Sequence, residues 1–301
     1  MLRTLIFALA ALAASTSLAQ TSTTYDPKIA YTQLSSRTCS VYVANADGSR
    51  AWRLGTAVGN IIGVDFAPGG GRVAFSDSQG LKVISYTAGN SGIQVTGVQL
   101  AVNTINGQPG RPDFSPDGTR IMYQTSSNTA PNTIRVVTVP GGAEVFSYSC
   151  YACSEPRWLR SDLGDAFSFR RYDFSGPSPI PEIWTALVNA DGTVTAGPAL
   201  SAANQAFKGI EDFDVARTRN ALLVTANYPT TIRLVEFNLV SGAITDKGGP
   251  GTRGHYFADD SWIVYREQVK GGYYINSLDA TTGLSTRLTP KGNYGFIDAR
   301  P

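Results

Sequence analysis

Few side chains in this sequence could do chemistry. It holds one histidine, His255, and three cysteines, Cys39, Cys150 and Cys153. A single imidazole excludes metal centres built on several histidines. His255 precedes Tyr256-Phe257 on a strand-like run. As a general base it would need a nucleophile and an orienting carboxylate within hydrogen-bond reach, and Glu211 and Asp212 are the acids in position to serve. A hydrogen-bonded or solvated histidine with no catalytic role is the plainer expectation. Cys150-Tyr151-Ala152-Cys153 forms a C-x-x-C pair in a loop. A redox-active pair sits at a helix N-terminus that lowers a thiol pKa, and no helix pattern occurs here. Outside the cytoplasm the pair is expected to form a local disulfide. Cys39 is left as a buried thiol or as a partner for either of the others. No G-x-S-x-G, P-loop or H-E-x-x-H motif is present. No cofactor and no metal is expected.

The elements that would position these residues repeat along the chain. Phe114-Ser115-Pro116-Asp117-Gly118-Thr119-Arg120 reads as a strand end, a Pro-Asp-Gly turn and a new strand. Asp65–Phe75 follows the same plan. Looser copies stand at Arg157–Phe167, Asp214–Leu223 and Tyr256–Val264. Their apolar anchors, Phe66, Phe114, Trp158, Val215 and Phe257, lie 42 to 57 residues apart. Each turn leads into two runs rich in Val, Ile, Tyr and Phe, such as Ile121–Tyr123 and Ile134–Val139, and then a shorter third. In two copies the third is introduced by a hairpin turn, Asn45-Ala46-Asp47-Gly48 and Asn189-Ala190-Asp191-Gly192, whose Asp-Gly pair supplies positive φ. Four strands per unit in six copies specify an all-β fold, a six-bladed β-propeller of four-stranded antiparallel blades. The first copy lacks its first strand. Phe296-Ile297-Asp298-Ala299, near the C-terminus, aligns with the first strand of the other copies. The ring is therefore expected to close by the C-terminal strand completing blade one.

Alignment on the anchors puts Asp65, Asp113, Asp214 and Asp298 at one position of the innermost strands. Two roles fit that register. The carboxylates form a collar around the channel for a cation or a basic peptide, or each accepts hydrogen bonds from the turn of its own blade. Asn60, Arg111, Glu155, Glu211, Arg253 and His255 form a second set further out, where loops at one end of a propeller share a rim. Their mixed charge suits a peptide or protein.

Charged residues make up 16% of the chain and the formal net charge is +2. That balance offers no electrostatic footing for nucleic acid. Arg3, the apolar run Leu5–Ala14 and the small residues of Ser17-Leu18-Ala19 read as a signal peptide over residues 1–19, cleaved before Gln20. Residues 20–301 then form one propeller domain, periplasmic or secreted, with no membrane insertion of the mature chain.

Arg111-Pro112-Asp113-Phe114-Ser115-Pro116-Asp117-Gly118-Thr119-Arg120-Ile121 resembles the WD40-like PD40 repeat of TolB-type propellers. Val41–Leu54 is similar to the other half of that repeat. The resemblance implies a six-bladed propeller exported to the periplasm, where such a propeller docks a peptidoglycan-associated lipoprotein. The α/β domain that precedes the propeller in TolB has no counterpart in the short stretch Gln20–Pro27. The functional expectation is a monomeric, non-catalytic propeller that binds a protein or peptide of the cell envelope at its loop rim and channel mouth. The alternative is a carbohydrate-active lyase or hydrolase with its site at that mouth, where Tyr151, Tyr172, Tyr228 and Tyr273 would stack on sugars.

Overall fold

A computed structural model describes residues 26–35, 38–104, 107–126, 131–159, 165–200, 204, 207–227, 231–249 and 251–299. The signal-like segment, Tyr228 and residues 160–164, where the sequence suggests a turn, lie outside them. Every blade is an antiparallel meander, which the short turns between β-branched and aromatic runs enforce. Blade one holds β1 (Ile29–Leu34), β2 (Cys39–Ala44) and β3 (Trp52–Thr56). Blade two holds β4 (Gly63–Phe66), β5 (Arg72–Asp77), β6 (Gly80–Gly89) and β7 (Gly92–Asn103). Blade three holds β8 (Gln108–Pro109), β9 (Asp113–Phe114), β10 (Arg120–Ser126), β11 (Asn132–Thr138) and β12 (Glu144–Cys150). Blade four holds β13 (Cys153–Leu159), β14 (Ala166–Asp173), β15 (Ile180–Val188) and β16 (Val194–Ala199). Blade five holds β17 (Lys208–Val215), β18 (Ala221–Asn227), β19 (Ile232–Asn238) and β20 (Ile244–Gly248). Blade six holds β21 (Gly251–Tyr256), β22 (Trp262–Val269), β23 (Gly272–Asp279) and β24 (Ser285–Arg287). The last strand, β25 (Tyr294–Ala299), pairs antiparallel with β1 and is the innermost strand of blade one. The ring closes as the sequence predicts, with β25 supplying the innermost strand that blade one would otherwise lack.

The core lies between blades. One apolar cluster fills each junction: Val41, Val43, Phe66 and Phe75 between blades one and two, for example, and Ile29, Tyr31, Phe257 and Ile297 between six and one. The remaining four junctions are filled in the same way. Alternation along each strand sends successive side chains to the two neighbouring blades, so these strands are apolar on both faces.

Two details depart from the expected plan. In blade three the innermost strand is broken into β8 and β9 at Gly110–Pro112, where Pro112 has no N–H to offer the ladder. In blade six the residue equivalent to the other anchors is Tyr256 rather than Phe257: Tyr256 faces Ile263 as Phe66 faces Val73 and Phe114 faces Ile121. That one-residue shift moves His255 onto the position held by the four aspartates.

Removing residues 294–301 takes away β25 and exposes the inner edge of β1. The truncated chain should aggregate or melt at a lower temperature; an unchanged melting temperature in a monomer would contradict strand closure. The paired turns give a finer test. Gly48 and Gly192 have φ near +76° and +81°. A Cβ at Gly48 would collide with the Leu288 carbonyl oxygen, whereas one at Gly192 meets nothing within 4 Å. Gly192→Ala should cost only the backbone strain, about 1 kcal/mol. Gly48→Ala should cost at least twice as much in urea denaturation, because blade six must move aside.

Candidate functional site

Where the innermost strands run side by side, one residue of each turns into the channel while the next, the anchor, packs between blades. The ring of channel residues is Asp298, Asp65, Asp113, Arg157, Asp214 and His255, one from each blade. All six are buried. The four aspartates act alike with one oxygen. Oδ2 of Asp298, Asp65, Asp113 and Asp214 accepts the backbone N–H of Phe66, Phe114, Trp158 and Tyr256, at 2.8, 2.6, 2.7 and 2.9 Å. Each donor is the anchor of the next blade. The carboxylates thus serve neither their own turns nor a free collar: each ties its blade to its neighbour. A charge-assisted bond to a backbone N–H satisfies both groups where water is absent.

The other oxygens converge on the channel, where the chain supplies its own cations. Arg157 occupies the ring position of blade four, and its Nη1 lies 3.0 Å from Asp113 Oδ1. Arg217 Nη2 lies 3.6 Å from Asp214 Oδ1. His255 Nδ1 lies 3.1 Å from Asp298 Oδ1 and 3.7 Å from Asp214 Oδ1. No cluster of three or more potential metal ligands occurs among the described residues. Arg157 precedes Trp158 just as Asp65 precedes Phe66, so the anchor alignment holds the signal that identifies it. A search for equal residues at that register passes over it.

The carboxyls differ in charge preference. Burial, then Asp298 and Asp113, push Asp65 well above the ordinary carboxylate value. Burial also opposes ionisation of Asp214, but Arg217, His255 and Arg157 outweigh it and hold that carboxyl far below the ordinary value. Burial and Arg111 disfavour a charge on His255, while Asp214 and Asp298 favour it and prevail, so its pKa is raised.

The rim residues separate into two layers. Loops from outermost to innermost strands, and from second to third strands, lie at the end of the ring where the innermost strands begin, the entry end. Asn60 and Glu211 are exposed there, and Glu155 and Arg253 are half-buried. Arg111 and His255, expected on the rim, are instead buried inside it. Arg111 leaves blade three at the break in its innermost strand and reaches across the channel. Its Nη1 donates to both oxygens of Asp212, at 2.7 and 2.8 Å, and its Nη2 donates to His255 Nε2. Nε2 accepts there as the neutral ring, and Asp212 Oδ2 lies 4.0 Å from it. Glu155 pairs with Arg170 at 3.3 Å. Glu155 and Arg253 both have positive φ, near 53° and 56°, and each sits where its innermost strand bulges. Such backbone is costly for a residue with a side chain and clusters at functional sites.

As a catalytic base His255 is poorly placed. It is 0% exposed, and among the described residues no hydroxyl or thiol is hydrogen-bonded to it. Glu211, one of the two acids that could orient it, is at the surface. Cys150 and Cys153 are joined by a disulfide, and Cys39 is a buried free thiol. The disulfide loop carries Tyr151, 66% exposed, whose ring meets that of Phe174, 50% exposed, at 5.4 Å. Tyr172 continues this group at 6.4 Å from Phe174, and Tyr273 lies under Arg266. At the opposite, exit end, a cavity of about 290 Å³ reaches Asp65, Asp113 and Arg217. A larger one, about 1000 Å³, opens between blades six and one against Phe257, Trp262 and Leu288.

Exchange of single carboxyls separates their roles. A raised pKa means that the folded chain holds the proton more tightly, so the contribution is present at low pH and lost as pH rises through the folded value. A lowered pKa contributes above the unfolded value and is lost as pH falls through the folded one. At pH 7 Asp214→Asn should therefore cost about 3 kcal/mol, because Arg157 and Arg217 lose a counter-charge held close to them. Asp65→Asn keeps an acceptor for Phe114 and removes repulsion from Asp298 and Asp113. It should stay within about 1 kcal/mol of the parent and flatten the loss of stability above about pH 4. Urea denaturation across pH checks both, and equal losses would contradict the assignment.

No family model matches the chain, and no curated protein matches its sequence. Solved structures do match it. TolB from Acinetobacter baumannii superposes with a TM-score of 0.64 at 13% identity, over 91% of this chain and 67% of that one. A chain of the nidogen/laminin complex gives 0.64 at 11% identity, over 92% and 99%. A puromycin hydrolase gives 0.54 at 15% identity, over 91% of this chain and 48% of that one. At these identities the likeness carries the fold: the chain has the six-bladed β-propeller architecture found in TolB.

Proposed function

We propose that the chain is an exported, non-catalytic propeller that binds a protein or peptide through the loop rim and channel mouth of its entry end. The observation that carries this reading is the contrast between the two layers described above. The ionisable groups of the channel ring are buried, and acids and cations of different blades face one another there. The exposed features are two aromatic side chains on loops, Tyr151 and Phe174 in contact, with the half-buried Arg253 and Glu155 on the innermost strands. Aromatic and arginine side chains are the residue types on which binding energy concentrates. The disulfide supports the reading too, because a constrained loop loses little entropy when a partner covers Tyr151. TolB and nidogen are the neighbours that agree with it, and the signal-like residues 1–19 support export.

The test compares the two ends. The mature chain, immobilised, captures its partner from an extract of the cells that make it, and the affinity of the purified pair is then measured. Replacing Tyr151 and Phe174 together by Ala should weaken that affinity at least tenfold, as loss of anchor residues does. Trp262→Ala at the exit end should leave it unchanged. The reverse pattern would move the binding site to the exit-end cavity and overturn the proposal. Turnover of a polysaccharide panel by the wild type, lost in His255→Gln, would favour the carbohydrate-active alternative.

A further inference from the structure

Three arginines crowd the channel mouth at the entry end with too few acids to pair them. Arg253 of blade six lies over the ring of Phe296, its guanidinium carbon 3.9 Å from the centroid, and Arg111 of blade three approaches the same ring at 6.0 Å. Arg266, beside Arg253 on the neighbouring strand, donates to the carbonyls of Tyr294 and Gly295 at 3.1 and 2.9 Å. Three carboxylates face the group, of which Glu211, exposed at the surface, acts on Arg266. Asp212 has both oxygens engaged by Arg111, and Glu155 is paired with Arg170. No carboxylate stands within ion-pair distance of Arg253 among the described residues. Its Nη1 is buried without a hydrogen-bond partner, and so is Nε of Arg111. Burial, then Arg111 and Arg266, bring the Arg253 pKa down to about 10 against the pull of Asp212 and Glu155. The backbone of Arg253 is held at positive φ to put the side chain there.

We propose that Arg253, with Arg111 behind it, is a receptor for one carboxylate of an acidic peptide segment, which deepens the entry-end reading above and rests on it. A guanidinium with unpartnered N–H groups matches a carboxylate in shape and charge. Phe296 fixes the plane of the Arg253 fork, so little freedom remains to be lost on binding. Asp212 and Glu155 favour a single negative charge over a doubly charged phosphate. Glu155 Oε2, a buried acceptor with no partner, suits a peptide N–H next to that carboxylate.

The experiment uses the mature chain labelled with [15N]arginine and follows the Arg Nε–Hε resonances. The probe is N-acetyl-glutamate α-amide, with N-acetyl-glutamine α-amide and inorganic phosphate as comparisons. The glutamate probe should shift the Arg253 and Arg111 signals saturably, and the glutamine probe should not. Arg253→Lys, which keeps the charge but loses the fork, should weaken binding at least tenfold. Arg253→Gly relieves the backbone strain and the repulsion among the arginines, so it should abolish the response while raising the melting temperature. Absence of any Arg253 shift up to the solubility limit of the glutamate probe would overturn the proposal. Phosphate binding tighter than the carboxylate would overturn its ligand class. A lowered melting temperature in Arg253→Gly would assign Arg253 to the fold. The outcomes stay separable from those of the entry-end reading. If partner affinity falls in the Tyr151/Phe174 double variant and the probe is silent, the reading stands and this inference fails. If the probe shifts Arg253 while that double variant keeps its partner, the carboxylate site stands and the aromatic rim fails.

Discussion

Four hydrogen bonds from backbone N–H groups to aspartate Oδ2 atoms hold the inner wall of this ring together. Each runs from the anchor of one blade to the carboxylate of the blade before it. They are made where no water competes, and an unpaired partner on either side would be costly. The bond from Phe66 to Asp298 spans 232 residues. The C-terminal strand therefore does more than complete the sheet of blade one: it also ties that blade to blade two.

The same bonds create the charge problem that the channel then solves. Four buried carboxylates around one axis repel one another. Blades four and six depart from the repeat at this position and supply Arg157 and His255 in place of further acids. An arginine cannot accept the N–H that an aspartate accepts, so blade four gives up its tie to blade five. In exchange Arg157 meets Asp113 directly and lies within electrostatic reach of Asp214, Asp212 and Asp65. Burial of this kind does not by itself add stability, since desolvation offsets much of the attraction.

Above this ring Arg111, made available by the break at Gly110–Pro112, reaches across the channel to Asp212 and His255. It lies between the buried ring and the rim that carries Glu155, Arg253, Tyr151 and Phe174. The rim is built on bulges and on a disulfide loop, irregular features placed on a regular scaffold. Loops can carry function here because the strands beneath them are fixed by six apolar junctions.

The architecture was legible in the sequence because it depends on local signals that repeat. Pro-Asp-Gly and Asn-Ala-Asp-Gly turns, alternating apolar runs and an orphan terminal strand each report on a few neighbouring residues, and together they give six blades and the route of closure. The common register of Asp65, Asp113, Asp214 and Asp298 was also visible, because a repeat preserves position. What those carboxylates do was not. Their partners lie in other blades, 42 to 232 residues away, and no local pattern encodes which N–H a side chain will face. The place of His255 turned on a single-residue choice between Tyr256 and Phe257 as anchor, both aromatic, which only strand pairing resolves. Arg111 looked like a rim residue because it stands beside a turn, yet a break in one strand sends it into the channel. Sequence periodicity determined the scaffold. Burial and the meeting of charges from distant blades, which exist only once the ring has closed, decided the site.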